Sequence, residues 1–108
     1  DYYAKELKFQ QQIDAAGRAN ALSEPVRAEI KNNELLVHFP KDFAGKKIDG
    51  EIQLYYAADK TKDVVKSFST TDNTAILLMP ANTVGKHELH LKWNVDGLSY
   101  YFEQKVFL

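Results

Sequence analysis

The sequence predicts a mainly β protein, an immunoglobulin-like antiparallel β-sandwich of about seven strands preceded by one N-terminal α-helix. Two observations predict this fold. Up to residue 22, apolar residues recur at three- and four-residue steps among good helix formers. From Pro25 onward they alternate with polar residues in short segments, and turn signals come about every 8 to 14 residues. We therefore divide the chain into an N-terminal helical stalk, residues 1–24, and a sandwich domain, residues 25–108.

The helix is predicted over residues 3–21, where Ala, Lys, Glu, Leu and Gln predominate and no proline occurs. Gly17 weakens its C-terminal part, and Pro25 ends it because the residue before a proline favours extended geometry. One face carries a narrow, interrupted apolar stripe, so we expect the helix to bury little of itself against its own domain. The stripe consists of Tyr2, Glu6, Phe9, Ile13, Ala16 and Asn20.

The strands are predicted from the alternation of apolar and polar residues. Asn32-Asn33 and Asp96-Gly97 fit two-residue hairpin turns because these residue types tolerate positive φ. Lys66 indicates that the fourth strand is an edge strand. Ile76 and Leu78, apolar on the second face of the fifth strand, indicate a strand covered on both sides. The inward positions predicted, in chain order, are Val26, Ala28, Ile30; Leu35, Val37, Phe39; Ile52, Leu54, Tyr56; Val64, Phe68; Ala75, Leu77, Met79; Leu89, Leu91, Trp93, Val95; and Tyr100, Phe102, Val106.

Composition excludes several classes of function. The 108 residues fit one domain with one core, and 14 basic and 15 acidic residues are scattered along the chain. No basic stripe is present, so we expect no nucleic-acid partner. The absence of cysteine excludes disulfides, thiolate metal sites and thiol nucleophiles. No carboxylate pair, Gly-x-Ser-x-Gly elbow or glycine-rich phosphate loop stands out, so we expect a protein that is not an enzyme.

The N-terminus carries no targeting signal of its own. No apolar run approaches the roughly 20 residues that cross a bilayer. Because the chain begins at Asp1 rather than at a methionine, we expect that something upstream has been removed. A signal peptide, a membrane anchor and an initiator methionine are all compatible with these residues.

Met79 and His87 are the candidate metal ligands, because thioether and imidazole suit copper(I). The loop between them, residues 80–86, could bring the two side chains together at one end of the sandwich. His90, three residues after His87, must point to the opposite face of the strand. Two ligands without a third make a poor site, so the competing interpretation, Met79 in the core and His87 at a strand end, is preferred. No cofactor is assigned.

Five aromatic residues are candidate partner contacts. Strand parity points Tyr55 and Tyr101 outward, where they could anchor a protein interface, stack on a carbohydrate or be ordinary surface tyrosines. Tyr2, Tyr3 and Phe9 lie on the weakly amphipathic helix, where they could pack on the flank of the sandwich, on another chain or on a membrane surface.

Two stretches carry a family resemblance. The opening reads Asp1-Tyr2-Tyr3, Glu6-Leu7-Lys8-Phe9-Gln10 and Ile13-Asp14, with Asn20-Ala21-Leu22 behind it. The closing stretch runs from Gly85 to Trp93 and is followed by Asp96-Gly97. Together they resemble the FixH family, in which a short transmembrane helix leads into a periplasmic β-sandwich.

The resemblance implies a non-catalytic periplasmic domain, tethered to the inner membrane, that supports assembly or copper supply of a cbb3-type cytochrome c oxidase through protein contacts. The partners it implies are a copper P-type ATPase, a membrane iron–sulfur protein or oxidase subunits. The alternative is an extracytoplasmic sandwich that binds a carbohydrate or another ligand through Tyr55 and Tyr101.

Overall fold

The computed structural model describes residues 1–108 and contains one helix and seven strands, as the sequence predicts. Two short 3₁₀ turns, Lys41–Phe43 and Lys60–Lys62, interrupt the loops. The helix is α1 (Tyr2–Asn20), and the strands are β1 (Arg27–Lys31), β2 (Glu34–His38), β3 (Ile48–Tyr56), β4 (Val64–Thr70), β5 (Thr74–Leu78), β6 (Lys86–Val95) and β7 (Leu98–Phe107).

The strands form two antiparallel sheets with the orders β1-β2-β5 and β4-β3-β6-β7. Their inner faces share one core, to which β2 contributes Leu35 and Val37 while β6 contributes Leu89 and Leu91. The predicted sandwich is confirmed, and β4 is an edge strand as Lys66 indicated.

The two predicted hairpin turns differ in their backbone geometry. Asp96 and Gly97 both have positive φ, 52° and 79°, as a type I′ turn requires. This turn fixes the register of β6 and β7, so that Trp93 lies opposite Tyr100. In the turn between β1 and β2, Asn32 takes a φ of 56° but Asn33 has no positive φ, so this two-residue turn is not of type I′.

An aromatic cluster closes the core at one end. Trp93 stacks on Tyr100, with ring centroids 5.5 Å apart, and meets Phe39 and Phe43 edge-on at 5.3 and 6.3 Å. Its indole Nε1 is buried and has no hydrogen-bond partner. Because Phe43 belongs to the first 3₁₀ turn, the cluster also fastens that turn to the sandwich.

The prediction that β5 is covered on both sides is wrong. β5 is an outer strand of the smaller sheet, and Ile76 and Leu78 on its outer face are exposed. Ile30, predicted to face inward, is also exposed, because β1 is the opposite edge of the same sheet. Alternation gives the two faces of a strand but does not reveal its place in the sheet.

The helix buries little of itself, as predicted, but the face that packs is not the predicted stripe. Only Ala15 and Ala19 of α1 are buried, against β7, and Arg18 Nε donates a 2.6 Å hydrogen bond to the carbonyl oxygen of Ser99. Alanine lets a helix approach a strand closely, which the larger aromatic side chains prevent. No helix of the structure combines the length and the apolarity needed to cross a membrane.

Candidate functional site

The first candidate surface lies on the N-terminal half of α1. We call Tyr2, Tyr3, Leu7, Phe9 and Ile13 the aromatic helix surface; Tyr2 is 93% and Tyr3 78% exposed, and the other three are exposed as well. At 3.6 residues per turn, Tyr2, Phe9 and Ile13 fall on one face, roughly 120° around the axis from the buried alanines. Tyr2 and Tyr3 therefore point away from the sandwich, whereas Phe9 and Ile13 line a groove between α1 and β7, so that Phe9 alone of the three candidate aromatic residues lies beside the flank of the sandwich.

Local structure holds this surface in place. The Asp1 carboxylate caps the helix by accepting a 3.0 Å hydrogen bond from the backbone N–H of Tyr3. At the other end, the Asp42 carboxylate accepts hydrogen bonds from the Ser23 hydroxyl and from its backbone N–H, so the linker after α1 is joined to the first 3₁₀ turn. These bonds hold the pKa of Asp42 below its ordinary value. The helix consequently has a defined direction relative to the sandwich.

The second candidate surface is the outer face of the four-stranded sheet, which we call the polar sheet face. Strand register arranges its side chains in cross-strand rows. His90 lies at the centre of the face, because β6 is an inner strand and Glu88 and Lys92 flank it along that strand. The rows on β3, β6 and β7 are Glu51, Lys92, Tyr101; Gln53, His90, Glu103; and Tyr55, Glu88, Lys105.

His90 has a partner at each ring nitrogen. Its Nε2 lies 2.7 Å from Glu88 Oε1 and 3.6 Å from Glu103 Oε2, and its Nδ1 lies 2.7 Å from the Tyr101 hydroxyl. The Tyr101 hydroxyl in turn donates to Glu103 Oε2 at 2.8 Å. Tyr55 meets the His90 ring edge-on, with centroids 4.8 Å apart. The imidazole is therefore fixed in orientation by four neighbours.

Tyr101 points outward, as predicted, but the prediction that a partner can reach it is wrong. Tyr101 lies on the outer face by parity but is only 6% exposed, and residues of α1 line the groove beside it. Burial and the adjacent Glu103 carboxylate raise the pKa of Tyr101 well above its ordinary value. The sequence did not indicate that α1 packs on β7, which is why the burial of Tyr101 was not predicted.

Tyr55 is partly exposed, and its hydroxyl donates to Gln53 Oε1 at 2.6 Å. Burial is also the main cause that raises the pKa of Tyr55. The two outward tyrosines therefore belong to two neighbouring hydrogen-bonded groups, which meet where the Tyr55 ring contacts His90, rather than to an open aromatic platform.

Met79 and His87 are both buried. Met79 packs in the shared core. His87, 4% exposed, stacks on Tyr56 with ring centroids 4.7 Å apart, and its Nδ1 lies 3.1 Å from the carbonyl oxygen of Gly85. The copper(I) pair stays a prediction, and His87 belongs to no group of three or more histidine and carboxylate ligands.

Glu88, His90 and Glu103 form the one group of three potential metal ligands in the chain, with their ligand atoms within 4.8 Å of one another. Our sequence reasoning did not find it. A signal was available: a two-residue turn at Asp96-Gly97 pairs residues whose numbers sum to 193, which places Glu103 opposite His90.

Comparison with known proteins identifies a family. No curated protein and no solved structure matches the chain. A family model described as FixH matches residues 1–107, which is nearly the whole chain. The resemblance carried by the opening and closing stretches is thereby confirmed, and the chain belongs to the FixH family.

Proposed function

We propose that this FixH-family chain is a non-catalytic periplasmic domain, tethered to the inner membrane in its full-length form, that supports assembly or copper supply of a cbb3-type cytochrome c oxidase. It acts by contacting membrane-embedded assembly proteins, namely the copper P-type ATPase, the membrane iron–sulfur protein or the oxidase subunits. The observation that carries the proposal is the aromatic helix surface.

The exposed side chains suit a membrane-proximal partner. Tyr2, Tyr3 and Phe9 present large apolar area close together on two turns of one helix. Tyrosine is among the residues enriched both at interface anchors and at the boundary between a bilayer and water. A helix that presents anchors at i and i+7 is a common mode of docking into an apolar groove.

The attachment of the helix supports the same proposal. Arg18, Ala15 and Ala19 fasten the C-terminal third of α1 to the sandwich and leave the aromatic turns free to be contacted. The competing function, a carbohydrate-binding sandwich, has less support, because Tyr101 is buried and the Tyr55 hydroxyl already donates to Gln53.

The test replaces Tyr2, Tyr3 and Phe9 by alanine together in the full-length, membrane-anchored protein. Co-purification of the assembly proteins from solubilised membranes and oxidase activity of those membranes are measured. We expect both to fall by at least about tenfold, since truncation of each interface anchor costs on the order of 1 kcal/mol or more.

The matched control replaces Lys5 and Gln10, exposed polar residues of the same turns, by alanine and should leave both measurements unchanged. Circular dichroism checks that each variant keeps its helix and sheet content. If the triple variant retains full co-purification and full oxidase activity, the aromatic helix surface is not the partner contact.

A further inference from the structure

We propose that Glu88, His90 and Glu103 form a binding site for a divalent transition-metal ion of the zinc class on the polar sheet face. This inference goes beyond the proposed partner contact and depends on different residues. The proposed site also differs from the pair Met79 and His87, because it uses other residues and combines imidazole with carboxylates rather than with a thioether.

The three ligands come from rigid positions. Glu88 and His90 lie two residues apart on β6 and so project from the same face. Glu103 on β7 is the direct cross-strand partner of His90. The ligand atoms lie within 4.8 Å of one another. Zinc bonds of about 2.0–2.2 Å place ligand atoms roughly 3.0–3.5 Å apart, so side-chain adjustments of about 1 Å close the site.

The His90 ring is oriented as a metal ligand requires. Because the Tyr101 hydroxyl donates its single hydrogen to Glu103, the contact between that oxygen and Nδ1 is satisfied when Nδ1–H is the donor. The Nε2 lone pair is then directed toward the two carboxylates. Histidine ligands in metal sites commonly donate their other ring N–H to an oxygen in this way.

The negative charges of the Glu88 and Glu103 carboxylates also favour a bound cation. Nε2 and Glu88 Oε1 lie 2.7 Å apart, and two lone pairs cannot face each other at that distance. A proton lies between them at this separation, and a metal ion can replace it when the two atoms move apart to roughly 3.0–3.5 Å. A proton on His90 neutralises half of the charge of the two carboxylates, whereas a divalent ion neutralises all of it. Lys105, which lies opposite Glu88 in the register, forms no ion pair with it.

The site is accessible. The His90 side chain is 21% exposed and those of Glu88 and Glu103 about half, so an ion can enter and water can complete its coordination. Imidazole together with carboxylates favours zinc, copper(II) and nickel(II) over magnesium and calcium, which prefer ligand sets made wholly of oxygen.

The experiment is calorimetric titration of the untagged protein with Zn²⁺, repeated with the His90→Ala, Glu103→Gln and Tyr101→Phe variants. We expect one Zn²⁺ per chain in the wild type and no detectable binding at the same concentrations in His90→Ala. Loss of the Nδ1 partner in Tyr101→Phe should weaken binding about tenfold or more. Glu103→Gln keeps the shape of the side chain, so its weaker binding would report the lost ligand rather than lost folding.

His38→Ala is the matched control, because His38 Nε2 also contacts one carboxylate, Glu29 Oε2 at 3.0 Å, but lacks a second. Its Zn²⁺ affinity should equal that of the wild type. The ¹⁵N chemical shift of His90 Nε2 should move on addition of Zn²⁺ and stay unchanged with Mg²⁺. Absence of Zn²⁺ binding by the wild type, or equal binding by His90→Ala, would overturn the proposal.

Discussion

Replacement of Trp93, the single tryptophan, tests the energetic account of the aromatic cluster. The side chain is 1% exposed and contacts the rings of Tyr100, Phe39 and Phe43. Trp93→Ala removes all of these contacts and leaves a cavity, so it should lower the free energy of unfolding by about 4 kcal/mol. A domain of 108 residues has a total of roughly 5–15 kcal/mol, and this variant should therefore lose between about a quarter and four fifths of its stability.

Trp93→Phe should behave very differently. It removes two ring carbons, which costs about 1–2 kcal/mol in lost apolar burial. It also removes the indole N–H, which is buried without a hydrogen-bond partner and whose burial costs about 1–3 kcal/mol. The two terms nearly cancel, and we expect a change in the free energy of unfolding within about 1 kcal/mol of zero.

Urea unfolding followed by far-ultraviolet circular dichroism measures both variants, since fluorescence is lost with the tryptophan. Phe43→Leu is the control: it removes apolar ring atoms from the same cluster but releases no polar group, so it should cost about 1–2 kcal/mol. A loss of 3 kcal/mol or more in Trp93→Phe would refute the reasoning, because it would mean that the indole N–H has a partner in solution.

Gly50→Ala should destabilise by about 3 kcal/mol in urea unfolding, because its Cβ would collide with the Lys92 carbonyl oxygen inside the sheet. Gly17→Ala, in open space on the helix, should instead stabilise by up to about 1 kcal/mol; equal effects of the two substitutions would contradict this account. The pKa of Asp72 is lowered by hydrogen bonds from the flanking threonines, so its stabilisation is present above the ordinary value of 3.8 and is lost as the pH falls below 3.8 through the lower pKa of the folded state. The stability difference between wild type and Asp72→Ala should accordingly narrow from pH 7 to pH 3, and a constant difference would count against the assignment. Because burial raises the pKa of Tyr101, that side chain favours the folded state below pH 10, and this contribution is lost as the pH rises further. Absorbance titration at 295 nm should show a late-ionising tyrosine that is missing in Tyr101→Phe, and an unchanged titration curve would be the contrary result.

Much of the fold could be predicted because its signals are local. The Asp96-Gly97 turn needs only two residues with positive φ, and Lys66 identifies an edge strand by its charge. The exposure of Ile76 and Leu78 could not be predicted in this way. It depends on whether another element covers the outer face of the small sheet, which is a property of the whole arrangement rather than of the strand.

The candidate surfaces likewise include features that the sequence predicts and features that it does not. The exposure of Tyr2 and Phe9 follows from the poor amphipathicity of the helix, which the sequence displays directly. The burial of Tyr101 depends on a contact with α1, some 80 residues away in sequence, and no pattern along either segment indicates it. The grouping of His90 with Glu103 lies between these cases, since a turn type and simple counting were sufficient to locate it.

The attachment of the helix has a mechanical consequence. Arg18 provides the only side-chain hydrogen bond between α1 and a strand, and Ala19 is the only helix residue in the shared core. A pull on the N-terminus would therefore peel the helix from β7 turn by turn, beginning at Tyr2, and leave the sandwich folded. Amide hydrogen exchange should accordingly show α1 opening at a lower free energy than the strands, so that the helix can change its direction while the domain keeps its structure.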